Sequence, residues 1–591
     1  MRRVMAFVLA ALLGAGALSA QQGAGGGAAA APAPTCPPSG YGAQGYYAMF
    51  AQNVDGFTPY EIGSPCIGKD VRDVAESIGM GRGKVMGLKS VIGVQFRVDG
   101  TLADGAGMSR LANTEFQIAY YLPAMRMLLK GTRANGQPLN EIRVFSNQYA
   151  WNEAQEGRGA AAAANTLADR APLTKLTPFG AMWSVIEAEG HTVVSKTADG
   201  KTVLTGTSPY DGIETSVTVE DSRQHPKLGP YDPTELIRLP IAVTVKANGH
   251  TYGATFADYR GDLEPNVWMI FPTTMKWTLD GKPLADLKVT FFRSNPYIVF
   301  PIPEAVRAAP PAQPTRGQLP PAAMRTGNLP LRNVQTSYAP EGLRVSPQDA
   351  YAMQMTPNGP TPRDADGHPD LTGSWIGNYG NPFVVPGLRR NGAFEADQSA
   401  MQRGAQWNKP LYKPEYWEKV RSLDYGKIDV DPTYQCYRPL GVPRQNVPVR
   451  IVQKDRQIWL LNTVDNGLRI LPLDDRKRDE NDHQFSTFNG MGLAHWEGDT
   501  LVIESVGFND VSWLGWEGYF HSDKMEVTER FLRQGDLLYY TFTVNDPEVL
   551  MEPWTSYTYV RRLLPAPLRQ DEALECIDRD RDLVADPFLR G

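Results

Sequence analysis

The sequence is poor in several residues and patterns on which common chemistries rest. Its 591 residues include only four cysteines and seven histidines. No two cysteines stand at Cys-x-x-Cys distance and no histidines stand at metal-ligand spacing, so the pattern predicts no metal site. A Gly-x-Ser-x-Gly elbow and a His-Glu-x-x-His helix are both missing. Gly79, Gly81 and Gly83 precede Lys84, but Val85 follows where a phosphate-binding loop needs Ser or Thr. Standard serine hydrolases, zinc hydrolases and nucleotide enzymes are thereby disfavoured, and no cofactor is expected. With 59 Lys and Arg against 65 Asp and Glu, the formal charge is -6. No basic run interrupts that balance, which argues against a nucleic-acid partner. Beyond the first residues, no apolar run reaches the ~20 residues of a membrane-spanning helix, so no transmembrane segment is expected.

What is present begins with an export signal. Met1-Arg2-Arg3 is a short positive segment, Val4 to Leu18 is apolar, and Ala17-Leu18-Ser19-Ala20 offers small residues for cleavage. A signal peptide over residues 1–20 predicts a periplasmic or secreted protein. In that compartment Cys36, Cys66, Cys436 and Cys576 are expected to form two disulfides rather than bind metal. Three pairings are possible. Joining Cys36 to Cys66 and Cys436 to Cys576 keeps each bridge within one block and is preferred.

Residues 21–35 are Gly/Ala/Pro low-complexity sequence. A first block follows over 36–303, then a Pro-rich linker over 304–366, where proline favours extended chain, and a second block over 367–591. In the first block a helix is predicted from Val71 to Ile78 and another near Thr177 to Ala188. Asp99-Gly100, Asn135-Gly136, Asp199-Gly200, Asn248-Gly249 and Asp280-Gly281 read as hairpin turns. Strand-like runs such as Ile142–Phe145, Ile241–Val245 and Leu287–Phe292 lie between them. In the second block, strands are predicted at Gln457–Asn462, Leu468–Leu473, Thr500–Val506, Met525–Leu532, Leu537–Val544 and Thr555–Val560. The fold class is therefore mainly β, with two antiparallel domains joined by the linker. The first is read as a curved half-barrel with a few helices, the second as a lipocalin-like barrel or sandwich opening on Gly373-Ser374-Trp375.

Candidate chemistry concentrates in the second block. Alternation from Met525 to Phe531 puts Met525, Val527, Glu529 and Phe531 on one face and Glu526, Thr528 and Arg530 on the other. A glutamate on a core face is costly unless paired, and Glu504 is read the same way between Val502 and Val506. Arg444 and Arg469 are the candidate partners. Two inward carboxylates, with His521 at the rim as a proton shuttle, would suit acid–base work. A plain structural ion pair explains Glu529 equally well.

The second block resembles a family of exported, largely uncharacterised bacterial proteins. The matching residues are Pro369 to Trp375, Gly441-Val442-Pro443-Arg444 after Cys436, Arg469 with Asp474 and Arg476, and Trp496 to Val502. They continue through Gly507-Phe508-Asn509, His521-Ser522, Glu529-Arg530, Asp546-Pro547 and Pro553-Trp554. Cys576 matches the late cysteine of that family, which supports its pairing with Cys436. The resemblance implies ligand-binding roles for Arg444, Arg469, Asp474, Arg476, Trp496, Asn509, Arg530 and Trp554. The first block is similar, at fold level, to the half-barrel of periplasmic lipoprotein carriers. This sequence departs from the second-block pattern at Asp475, Gly492, Ala494, His495 and Asp523; Gly492 and His495 stand where the family has serine and arginine, so a specificity difference is expected if those two touch the ligand.

Three functions are weighed. The first is a binding protein for a small, largely apolar or aromatic molecule held in a β cavity. The second is a metal-independent isomerase, dehydratase or lyase using His521 with Glu504 or Glu529 on an aromatic or terpenoid-like compound. The third is a structural envelope protein. The oligomeric state is left open.

Overall fold

A computed structural model of the chain describes residues 68–78 and, short internal stretches apart, 91–308 and 357–565. The signal segment, the four cysteines, Arg476 and most of the Pro-rich linker lie outside the described residues.

The first sheet has thirteen antiparallel strands. They are β1 (Gly93–Asp104), β2 (Gly107–Ala119), β3 (Ala124–Thr132), β4 (Pro138–Ser146), β5 (Tyr149–Glu153), β6 (Ala161–Ala162) and β7 (Val193–Lys196). The rest are β8 (Thr202–Thr207), β9 (Glu214–Ser222), β10 (Ile237–Ala247), β11 (His250–Arg260), β12 (Phe271–Leu279) and β13 (Lys282–Ser294). Two meanders, β1 to β6 and β7 to β13, join where β1 pairs with β13. Asn248-Gly249 and Asp280-Gly281 make the expected tight turns, each with positive φ at both residues. Asp99-Gly100 does not turn. It lies inside β1 at a register shift, where a Cβ on Gly100 would stand 1.9 Å from the Asp286 carbonyl oxygen. Glycine there permits a bulge rather than a hairpin.

Helices α1 (Lys69–Ser77), α2 (Leu167–Arg170) and α3 (Pro178–Ile186) accompany this sheet. All nine residues of α3 are buried. Its Phe179 stacks on Phe271 at 5.9 Å and on Phe292 at 6.0 Å. Alternation sends Val94, Phe96, Phe116, Met125 and Met127 to this apolar face and Gln95, Arg97, Gln117 and Arg126 to the other. The second face is covered near its end by residues following β13, including Phe300 and Val306 of α4 (Glu304–Arg307).

The second sheet contains β14 (Gly373–Ile376), β17 (Arg450–Lys454), β18 (Gln457–Leu461), β19 (Leu468–Pro472), β20 (Met491–Glu497) and β21 (Thr500–Val506). It also contains β22 (Glu526–Gln534), β23 (Leu537–Asn545), β24 (Trp554–Thr555) and β25 (Tyr559–Leu563). A separate hairpin is formed by β15 (Val385–Leu388) and β16 (Phe394–Asp397). The expected single strand near Thr555–Val560 is thus two, β24 and β25. The spatial order runs β19-β18-β17-β14-β25-β23-β22-β21-β20, with β24 added on β23. The two ends of this row meet, because Leu473 and Ala494 form a parallel bridge and Asp474 N–H donates to the Ala494 carbonyl at 2.9 Å. The result is a nearly closed, barrel-like sheet.

One end of the barrel is sealed. Trp375 is fully buried, its indole N–H donates to the Leu371 carbonyl at 2.9 Å, and the Arg533 guanidinium lies over its ring at 5.2 Å. A strap from residue 357 onward crosses this end, pairing Arg363 with Asp499 at 2.8 Å and stacking His368 on Trp496 at 4.7 Å.

The two sheets are linked by residues 409–423, which include α5 (Trp417–Ser422). Tyr412 N–H donates to Tyr297 Oη at 3.0 Å, and Arg421 grips Glu156 through two bonds of 3.0 and 3.1 Å. Trp417 seats against Gly157, where a Cβ would stand 2.4 Å from the indole. Beside it Arg126 is fully buried, bonded twice to Glu153 at 3.0 and 3.2 Å and flanked by the Trp417 ring at 4.9 Å.

Candidate functional site at the barrel seam

Nine strands lie on the barrel path, and every neighbouring pair among them is antiparallel. With an odd number of alternating strands, the first and the last must run in the same direction. The closing pair β19 and β20 is therefore parallel and has neither a shared hairpin nor the antiparallel ladder of the other joints. Among the described residues it is joined by the Leu473–Ala494 bridge. Away from that point the strands part, leaving a pocket of about 260 Å³ lined by both edges and by Asp482, Asn489 and Gly490.

The rim of this opening is apolar. Leu468, Ile470 and Met491 are 50%, 49% and 37% exposed, and Phe485 is exposed nearby. The alternation of β19 explains the pattern: Leu468, Ile470 and Pro472 face out while Arg469 and Leu471 face in. Gly492 gives Leu471 its space, since a Cβ there would meet the leucine methyl at 2.5 Å.

Arg469 also lines the pocket and reaches a polar cluster inside the barrel. Its Nη2 stands 2.7 Å from Glu529 Oε2, with both side chains buried. The approach is close but poorly aligned, so Oε2 has an ion pair without a hydrogen bond. Tyr540 Oη donates to Glu529 Oε1 at 3.0 Å, and Arg469 Nη2 donates to Ser505 Oγ at 3.3 Å. Burial, with the adjacent carboxylate, pushes the Tyr540 phenol well above its usual range, so it remains a neutral donor. Tyr540 packs on Phe531 and Tyr559 at 4.7 and 5.8 Å. Arg561, on the strand of Tyr559, is lowered to about 10 by burial.

His521 occupies a different layer. It is 3% exposed, not a rim residue as expected. Its Nε2 lies 2.9 Å from Ser512 Oγ, and its Nδ1 lies 3.0 Å from the Ser522 carbonyl. A carbonyl can only accept, so Nδ1 carries the proton and the serine hydroxyl donates to Nε2. Asp546 fixes the neighbouring backbone, accepting from Ser522 N–H at 2.7 Å and from its hydroxyl at 2.8 Å. Burial holds the His521 pKa below its usual value, against the raising effects of the Ser522 carbonyl, Asp546 and Asp510.

The other expected residues are dispersed. Glu504 is exposed on the outer face, opposite Thr528, which corrects its reading as an inward carboxylate. Its neighbours Val502 and Val506 are buried on that outer side, so alternation of hydrophobicity pointed the wrong way there. Arg530 faces outward and pairs with Glu497. Arg444 is buried over the Trp513 ring at 5.9 Å. Asn509 accepts from Val511 N–H at 3.1 Å as a turn residue, and Trp554 packs on Phe542 at 5.3 Å. Asp474 contributes its backbone to the seam. Among the described residues, only Arg469 and Glu529 of those named meet inside the barrel. Tyr540, Ser505 and Asn489 were not anticipated. The signal for Tyr540 lay in β23, where Leu538, Tyr540, Phe542 and Val544 share one face.

A scan against protein-family models finds no match for this chain, and a search of curated proteins finds none either.

Proposed function

We propose that the barrel block binds a small, largely apolar molecule at its open seam, in the periplasm or outside the cell. The observation that carries this reading is the half-open pocket in which exposed Leu468, Ile470 and Met491 meet buried Arg469. Ligand sites combine apolar walls with a few fixed polar groups, and this pocket, of about 260 Å³, does so just below their usual size. The rival reading, acid–base catalysis by His521 with Glu504 or Glu529, has less support. Glu504 faces outward, and both ring nitrogens of His521 are engaged by Ser512 and Ser522.

The test is native mass spectrometry of the purified protein after incubation with a mixed aromatic and terpenoid extract, beside Ile470→Asp. Stoichiometric retention of an unchanged compound by the wild type, lost in the variant, is expected. Equal retention by both proteins would remove the seam as the site. A compound converted in many-fold excess would favour the enzyme.

A further inference from the structure

Resting on the seam-binding reading, we infer that the bound molecule carries an acceptor oxygen, of a carbonyl or a carboxylate, which Arg469 holds through Nε and Nη1. Its apolar body lies along Leu468, Ile470 and Leu471.

Arg469 spends its donors unevenly. A guanidinium has five N–H groups on three nitrogens and accepts nothing. Nη2 takes both internal contacts, Glu529 Oε2 at 2.7 Å and Ser505 Oγ at 3.3 Å. Among the described residues, Nε and Nη1 have no acceptor. Nor are they enclosed. The partnerless side-chain atoms sealed inside the protein include Glu529 Oε2, Thr487 Oγ1 and Asn489 Oδ1, but neither Nε nor Nη1 of Arg469. The residue keeps 6% of its surface and lines the seam pocket. Its two unbonded nitrogens are thus donors left open beside a cleft.

The guanidinium is also held in place from within. The alternation of β19 turns Arg469 inward between exposed Leu468 and Ile470, and Glu529, itself fixed by Tyr540 at 3.0 Å, anchors Nη2. Glu529 and Tyr540 are therefore positioning residues, and little ordering accompanies binding. Selection follows from desolvation. A molecule without an acceptor that fills the cleft takes water from Nε and Nη1 and returns no hydrogen bond, which is costly beside a charged group. A carbonyl or carboxylate oxygen replaces that water, and its bond is charge-assisted.

The experiment compares three probes of nearly equal shape on the full chain: 2-acetylnaphthalene, 2-isopropenylnaphthalene and 2-naphthoate. Affinities are measured by calorimetry at neutral pH for the wild type, Glu529→Gln, Ile470→Asp and the double variant Arg469→Met with Glu529→Leu. The better of the ketone and the naphthoate should bind the wild type about tenfold more tightly than the alkene, the scale of one hydrogen bond to a charged group. A naphthoate ahead of the ketone assigns the oxygen to a carboxylate, and the reverse order assigns it to a neutral carbonyl. The double variant should erase the preference and still bind the alkene, while Ile470→Asp should weaken all three. Glu529→Gln removes the carboxylate that shares Arg469, so it should raise naphthoate affinity relative to the ketone. An unchanged ratio there, or a preference that survives in the double variant, would overturn the role of Arg469. Wild-type affinities no higher for ketone or naphthoate than for the alkene would overturn the acceptor inference and leave the seam reading standing. Binding that Ile470→Asp leaves unchanged, or no binding of any probe, would sink the seam reading itself. Thermal unfolding of each variant confirms that a loss of binding is not a loss of fold.

Discussion

One face of the thirteen-stranded sheet is covered by its own helix, whereas the barrel leaves a joint open. All nine residues of α3 are buried against the sheet, with Phe179 packed on the stacked pair Phe271 and Phe292. In the barrel, apolar Leu468, Ile470 and Met491 remain at the surface beside a pocket, and an arginine–glutamate pair lies within. Both regions are antiparallel sheets rich in apolar residues. What separates them is connectivity. Among the described residues, the two edge strands of the first sheet, β6 and β7, do not pair with each other. The second brings its ends together with a strand count that forces a parallel junction. A pocket arises there because closure is incomplete, not because the barrel contains more apolar surface.

The sharpest way to break this comparison is to delete one partner of each buried ion pair. Arg126 holds Glu153 through two bonds and also bonds Gln117 and the Val299 carbonyl at 3.1 Å each. Arg126→Met should cost about 3–5 kcal/mol, because Glu153 would stay buried without its counter-charge. Arg469 makes one close but misaligned ion pair and one long bond to Ser505, so Arg469→Met should fall at or below the lower end of that range. Adding Glu529→Leu to Arg469→Met should restore most of the loss, since a matched apolar pair no longer strands a charge. Urea unfolding with an unchanged m-value measures each difference. A larger loss for Arg469→Met than for Arg126→Met would mean that the barrel pair, not the pair of the first sheet, carries the greater structural burden.

A second contrast sets equivalent truncations side by side. Phe179→Ala empties a packed site under the first sheet and should cost about 3–5 kcal/mol. Ile470→Ala removes a side chain that is 49% exposed, so stability should change by about 0.5 kcal/mol or less while ligand retention falls. Thermal unfolding and native mass spectrometry on the same samples separate the two outcomes. If Ile470→Ala destabilises as Phe179→Ala does, the seam is a packed joint and not a binding edge.

How far the sequence foretold this can be argued from individual residues. The period-two pattern of β22 placed Glu529 inward and Arg530 outward, because one face of that strand is buried and the other is half-exposed. Glu504 misled because β21 is covered on both faces, with Leu501, Val502 and Ile503 all buried, so alternation loses its contrast. Asp99-Gly100 misled because a bulge and a turn need the same glycine. Tyr540 and Ser505 were hidden for another reason. Their role depends on the register of β21, β22 and β23 against one another and on the approach of β19 across the seam, and neither is a property of any one strand. The parallel closure follows from strand count and order, which a short strand such as β14 makes hard to read.

The smallest predicted effect concerns His521, in a layer that belongs to neither of the contrasted regions. Its pKa is lowered on folding, chiefly by burial. The unfolded chain therefore takes up a proton near the ordinary value of about 6.5, while the folded protein resists it. His521 thus contributes no pH dependence above that value. As pH falls from about 6.5 towards the lowered folded pKa, stability should decline by at most ~1.4 kcal/mol per pH unit. His521→Asn removes the titrating ring and should flatten this acid-side slope, whatever it does to stability at neutral pH. Unfolding midpoints between pH 7.5 and 5 measure the difference. A slope unchanged in the variant would assign acid sensitivity to other groups and leave the Ser512–His521–Ser522 arrangement as packing alone.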